Sequence, residues 1–149
     1  MIMGPADYQR TPEAQMRRVR RLGEKSLKEA ELALKSVKEG RDEATMIYNY
    51  MKGYKLLTDY YEQKVLAGIS ALIYAFGGPE GEKFQAEHLA DKAVQFYQTA
   101  INFIWENIDK RSGNITSQWQ GKRMTLPQLM EYEKTEREQL PSLFHWPTA

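Results

Sequence analysis

Residues 41–76 read RDEATMIYNYMKGYKLLTDYYEQKVLAGISALIYAF, and this stretch decides the fold. Ile47, Tyr50, Met51, Tyr54, Leu57, Tyr61, Val65, Ile69, Leu72 and Phe76 recur at steps of three or four with no proline between them, which predicts one uninterrupted amphipathic helix. At about 1.5 Å per residue such a helix is roughly 50 Å long, so it must lie beside other long helices to bury its stripe. The stripe itself is expected to face the core, leaving Tyr48, Tyr60 and Tyr74 off it.

Working outward, Gly40 is a plausible C-cap for a preceding helix that opens at Thr11 with Pro12 in first position and Glu13 in the first turn. Met16, Val19, Leu22, Leu27, Ala30, Ala33, Leu34 and Val37 form its stripe, with Gly23 and Ser26 allowing close approach of a neighbour. On the other side, Gly77 and Gly78 stop the long helix and Pro79 marks the start of a third, running from about Glu80 to Lys110. Its broad apolar arc, from Phe84 through Phe96 and Ile104 to Ile108, predicts contact with two neighbours at once and a central place in the bundle. Ser112, Gly113 and Asn114 end it. Residues 115–124 lose the period and read as a loop or small hairpin; Thr125 then caps a short helix that carries Pro127 and stops before Pro141. The two connections between the long helices are too short for anything but antiparallel neighbours. The expected architecture is therefore all-α: a single domain over residues 1–149, an antiparallel bundle of three long helices plus a short C-terminal helix. Residues 1–10 are expected to form a flexible arm and residues 141–149 a docked apolar tail.

Composition narrows the function classes. A chain of 149 residues with 42% hydrophobic and 28% charged side chains reads as an ordinary soluble domain, expected to be cytoplasmic, with no apolar window long enough for a membrane span. There is no cysteine, so disulfides, thiolate metal sites and cysteine nucleophiles are excluded. A net charge of +1 argues against nucleic-acid binding. The two ends differ in charge: residues 1–39 hold nine Lys or Arg against six Asp or Glu, and residues 125–149 hold two against four. A carboxylate-bridged metal centre in a bundle needs Glu three residues before His on two helices, yet Gln85 stands three before His88 and His145 lies in the tail. His88 therefore reads as a helix-surface residue. No metal, cofactor or catalytic residue is implied, and Asp59, Glu62 and Asp91 read as members of solvated ion pairs with neighbours such as Lys55 and Lys92.

Two features remain as candidate binding surfaces. Arg17, Arg18, Arg20 and Arg21 wrap much of the first helix and offer an interaction face for an acidic partner or a partner helix. Trp119, flanked by Gln118, Gln120 and Lys122, places a planar ring beside amide and ammonium groups, the composition with which proteins hold sugars or peptides; Tyr60 and Tyr74, off the stripe, are candidate companions. Asn114, Ile115 and Thr116 also form a glycosylation sequon.

Tyr60, Tyr61, Glu62 and Lys64 leading to Ala75, Phe76, Gly77 and Gly78, then Trp119, Gly121, Lys122, Leu140, Pro141, Leu143 and Phe144, resemble the helical accessory regions of large multidomain glycoside hydrolases. The resemblance runs from Glu43 to Trp146. It implies a non-catalytic helical module working beside a carbohydrate-active enzyme, and it carries over no catalytic residue. The first reading is thus a non-enzymatic interaction or scaffolding module, with a protein partner or self-association expected. The alternative is an accessory domain that contributes aromatic contacts to a carbohydrate. A third, a small enzyme using a buried carboxylate, has no motif behind it.

Overall fold

The computed structural model describes residues 10–109, 117–119 and 122–145. It is an all-α bundle: α1 (Pro12–Ser36), α2 (Arg41–Ala75) and α3 (Glu80–Ile104) run antiparallel in chain order, and α3 continues through a π-helical turn, Trp105–Asp109. A two-stranded hairpin follows, β1 (Ser117–Trp119) antiparallel to β2 (Lys122–Met124), with Ser117 opposite Met124. The chain closes with α4 (Leu126–Glu138) and a single turn, α5 (Leu140–Leu143). The expected arm at residues 1–10 lies, but for Arg10, outside the described residues, as do Lys110, the sequon, and Trp146 and Pro147 of the tail.

The helix ends follow from local chemistry. Thr11 Oγ1 accepts the Ala14 N–H at 3.2 Å, with Pro12 supplying a first residue that has no N–H to satisfy. At α4, Thr125 and Gln128 form a reciprocal capping box: Thr125 Oγ1 accepts the Gln128 N–H and Gln128 Oε1 accepts the Thr125 N–H. Between α2 and α3 the Gly77 N–H donates to the Tyr74 carbonyl and the Gly78 N–H to the Ile73 carbonyl, the double-bonded glycine stop of a helix. Gly77 sits at φ 96° and a Cβ on Gly78 would lie 2.6 Å from the Ile73 carbonyl oxygen, so both positions require glycine. Gly40 plays another role than the expected one. Helix α1 stops at Ser36, Val37 is extended, and Gly40, at φ 69°, is the N-cap of α2.

Packing corrects two expectations. The middle helix is α2, with α1 and α3 packed on separate flanks of it, while α3 does reach two neighbours, α2 and α4. The stripe of α2 is also not the core face expected: none of its ten residues is buried, and Met51, Leu57, Val65 and Ile69 are half-buried. The buried positions of α2 are Asn49, Gly53, Tyr60, Glu62, Ala67, Ser70 and Ala71, whereas Ile47, Tyr50, Tyr54, Tyr61, Leu72 and Phe76 are exposed. Small residues explain the difference. Ala67 and Ala71 meet Ala86, Leu89 and Ala90 of α3 in one core cluster, and Gly53 lies where a Cβ would touch Ile104 and Ile108. A seam of alanine and glycine lets two backbones approach closely, so that the largest side chains at this contact are few. Leu140 of α5 and Phe144, its C-cap, complete that cluster, with Leu66, Tyr74 and Leu143 packed around it. On the other flank α1 buries no residue; Gly23 brings it close to Thr58, and Leu27, Leu34 and Val37 are only half-buried.

Candidate functional site

Two surfaces bear on function: a polar cluster beside a cleft between α2, α3 and α4, and the exposed apolar face of α2.

The cluster begins with Tyr60, buried to 3% exposure on the α3-facing side of α2. Its ring lies 4.6 Å from that of Tyr97 on α3, and its hydroxyl donates to Glu133 Oε2 of α4 at 2.6 Å. One helical turn along α2, Lys64 Nζ donates to Tyr60 Oη at 2.9 Å, to Glu133 Oε2 at 2.9 Å and to Glu136. Nearby, Arg137 Nε donates to Asp91 Oδ1 of α3 at 2.7 Å. Lys64, Glu133, Glu136 and Arg137 line a cleft of about 310 Å³ together with Ala67, Gly68, Ala90, Ala93, Leu140 and Leu143.

Burial, reinforced by the hydrogen bond and negative charge of Glu133, holds the Tyr60 phenol far above its usual range. Burial and the charge of Glu133 also push Tyr97 up to about 12. For Lys64, desolvation acts to lower the pKa, but its bonds to Glu133 and Glu136 outweigh this and the ammonium is stabilised. The consequence is chemical. A phenol and an ammonium held protonated at neutral pH cannot serve as general bases or nucleophiles there, so the cluster acts as a fixed clamp of α4 onto α2.

The sequence candidates are dispersed by the fold. Tyr60 is in the core, its hydroxyl committed to Glu133, and Tyr74 is half-buried with its ring edge-on to Phe144 at 5.6 Å. The Tyr60 ring is enclosed, while that of Tyr74 stays partly exposed. Backbone hydrogen bonds place Gln118 and Trp119 in β1 and Lys122 in β2, while their side chains and the whole of Gln120 lie outside the described residues. The arginine run does not act as one patch. Arg17 pairs with Glu13 at 2.7 Å; Arg20 turns inward to Glu24, Asp59 and Glu62 at 3.3 to 3.7 Å; Arg18 and Arg21 point outward. Lys55 also pairs with Asp59 at 2.6 Å. Glu62 is buried rather than solvated, and its Oε2 has no hydrogen-bond partner. His88 is exposed on α3. Among the described residues no group of three or more His, Asp or Glu side chains is placed to hold a metal ion, and no helix is long and apolar enough to cross a membrane.

Sequence reasoning did not single out Glu133, Glu136 or Arg137 for the cleft. The distance of 73 residues between Tyr60 and Glu133 gives no local signal; only the carboxylate-rich α4 hinted at it.

The second surface is the stripe quoted at the outset. Tyr54 is 61% exposed and Phe76 66%, with Ile47, Tyr50, Tyr61 and Leu72 also open to solvent and Met51, Leu57, Val65 and Ile69 half-buried between them. Beside it on α1, Val19 and Leu22 are exposed on the flank opposite Arg20, the residue that reaches Asp59. None of these stripe positions carries a formal charge. No protein-family model, curated protein or solved structure matches this chain.

Proposed function

We propose that the chain is a non-enzymatic helical interaction module whose working surface is the apolar face of α2, extended by Val19 and Leu22 of α1. One observation carries the reading: Ile47, Tyr50, Tyr54, Tyr61, Leu72 and Phe76 are exposed along one side of the longest helix, while its core face buries Tyr60 among alanine, glycine and polar groups. Scattered exposed apolar residues are ordinary on a protein surface, but a continuous apolar stripe marks a surface that is covered in use. Tyr60 and Lys64, both held protonated and hydrogen-bonded to Glu133, offer the cleft no general base or nucleophile at neutral pH. The alternative of an accessory domain giving aromatic sugar contacts draws less support, because Tyr60 is buried with its hydroxyl bonded to Glu133.

The test is site-specific photo-crosslinking. A benzophenone amino acid at position 54 or 76 should form crosslinked species in native extract, and the same group at Leu32, exposed on the outer side of α1, should not. Equal yields from all three positions, or none from 54 and 76, would remove the reading.

A further inference from the structure

Resting on that reading, we infer that the occupant of the α2 face is a second copy of this chain, the two α2 helices lying antiparallel across a twofold axis. Three observations point there. The first is symmetry of spacing. About Gln63, Tyr50 stands opposite Phe76, Tyr54 opposite Leu72, Leu57 opposite Ile69, and Tyr61 opposite Val65. An isologous interface needs this, because each residue i that meets residue j requires j to meet i. The second is charge: with no Asp, Glu, Lys or Arg on the stripe, superposing it on itself brings no like charges together. The third is area. At about 200 Å² per aromatic side chain, the exposed parts of Tyr50, Tyr54, Tyr61 and Phe76 leave roughly 400 Å² of ring surface in water. That is about half of the ~800 Å² each partner gives to a stable interface, and the aliphatic side chains of the stripe with Val19 and Leu22 supply the same order again.

Sedimentation equilibrium of the purified chain decides the matter. A dimer is expected at micromolar concentration. Tyr54→Glu with Phe76→Glu should weaken self-association by more than about tenfold, and Leu32→Glu should leave it unchanged. All three sites are more than 60% exposed, so each variant should keep its helical circular dichroism and melting temperature. A dimer that survives Tyr54→Glu with Phe76→Glu places the contact elsewhere and overturns the inference. A monomer whose position 54 still crosslinks to a different protein overturns the second copy while leaving the interaction reading intact. A monomer that crosslinks to nothing from position 54 or 76 removes both.

Discussion

Glu133 illustrates how one carboxylate can fasten an element. Its Oε2 accepts from both Tyr60 and Lys64, and Lys64 in turn bonds Tyr60 and Glu136, so removing any member alters the others. A hydrogen bond to a charged group contributes about 1.5 to 3 kcal/mol, and stranding a buried partner costs at least as much again. Tyr60→Phe is therefore expected to lower stability by about 1.5 to 3 kcal/mol, and Glu133→Ala by more, since it leaves a buried phenol without its acceptor. Urea unfolding of both single variants and the double variant provides the check. The double should lose less than the sum of the singles, and simple additivity would show that the three groups do not act as a unit. Nothing in the sequence announced this. Tyr60 was legible as lying off the large apolar stripe, but the meaning of that position depended on which face of α2 the fold would bury.

At the scale of elements, the boundaries were readable because they are set by neighbours in the chain. Thr11 with Pro12, Thr125 with Gln128, and Gly77 with Gly78 act through backbone groups within a few residues, and each marks an observed terminus. The faces were less readable. Periodicity detects where apolar side chains recur, and it weights Tyr and Phe far above Ala and Gly, so the face with the larger residues was taken for the core. The opposite outcome arises because α2 and α3 meet through Ala67, Ala71, Ala86 and Ala90. Such a seam is sensitive to volume. Ala71, wholly enclosed, changed to Leu should destabilise the fold by about 1 to 3 kcal/mol through overpacking, whereas Tyr54→Ala on the exposed face should stay within about 0.5 kcal/mol in a variant held monomeric by Phe76→Glu. Thermal or urea denaturation distinguishes the two, and similar losses at both positions would mean that the seam does not hold the helices together.

For the molecule as a whole, the all-α architecture and the helix order were legible, while the candidate surfaces were legible only as residues and not as places. The stripe on α2 was recognised and misassigned, the cluster around Glu133 joins positions too far apart in the chain to be foreseen, and the arginine run was divided between ion pairs and solvent by the position of α1 against Asp59 and Glu62. The phenols of buried Tyr60 and half-buried Tyr97 also govern how the protein meets alkali. In the unfolded chain Tyr60 and Tyr97 ionise near their ordinary value of 10.0, but in the folded chain both phenols are held protonated to higher pH, Tyr97 to about 12. Below pH 10 the two states hold the same protons on these rings and the fold keeps its full stability. Above it, the unfolded chain sheds protons that the folded chain retains, so stability falls with rising pH, by about 1.4 kcal/mol per unit for each such group. Lys64, whose folded pKa is raised from 10.5, acts in the same direction. Urea midpoints measured from pH 9 to 11.5 should therefore be level at first and then drop, and Tyr60→Phe should make the drop shallower by one proton's worth; a level profile throughout would contradict the burial of these rings. A protein whose α4 is fastened by a phenol and an ammonium carries its own upper pH limit, set by the two side chains that must keep their protons for the clamp to close.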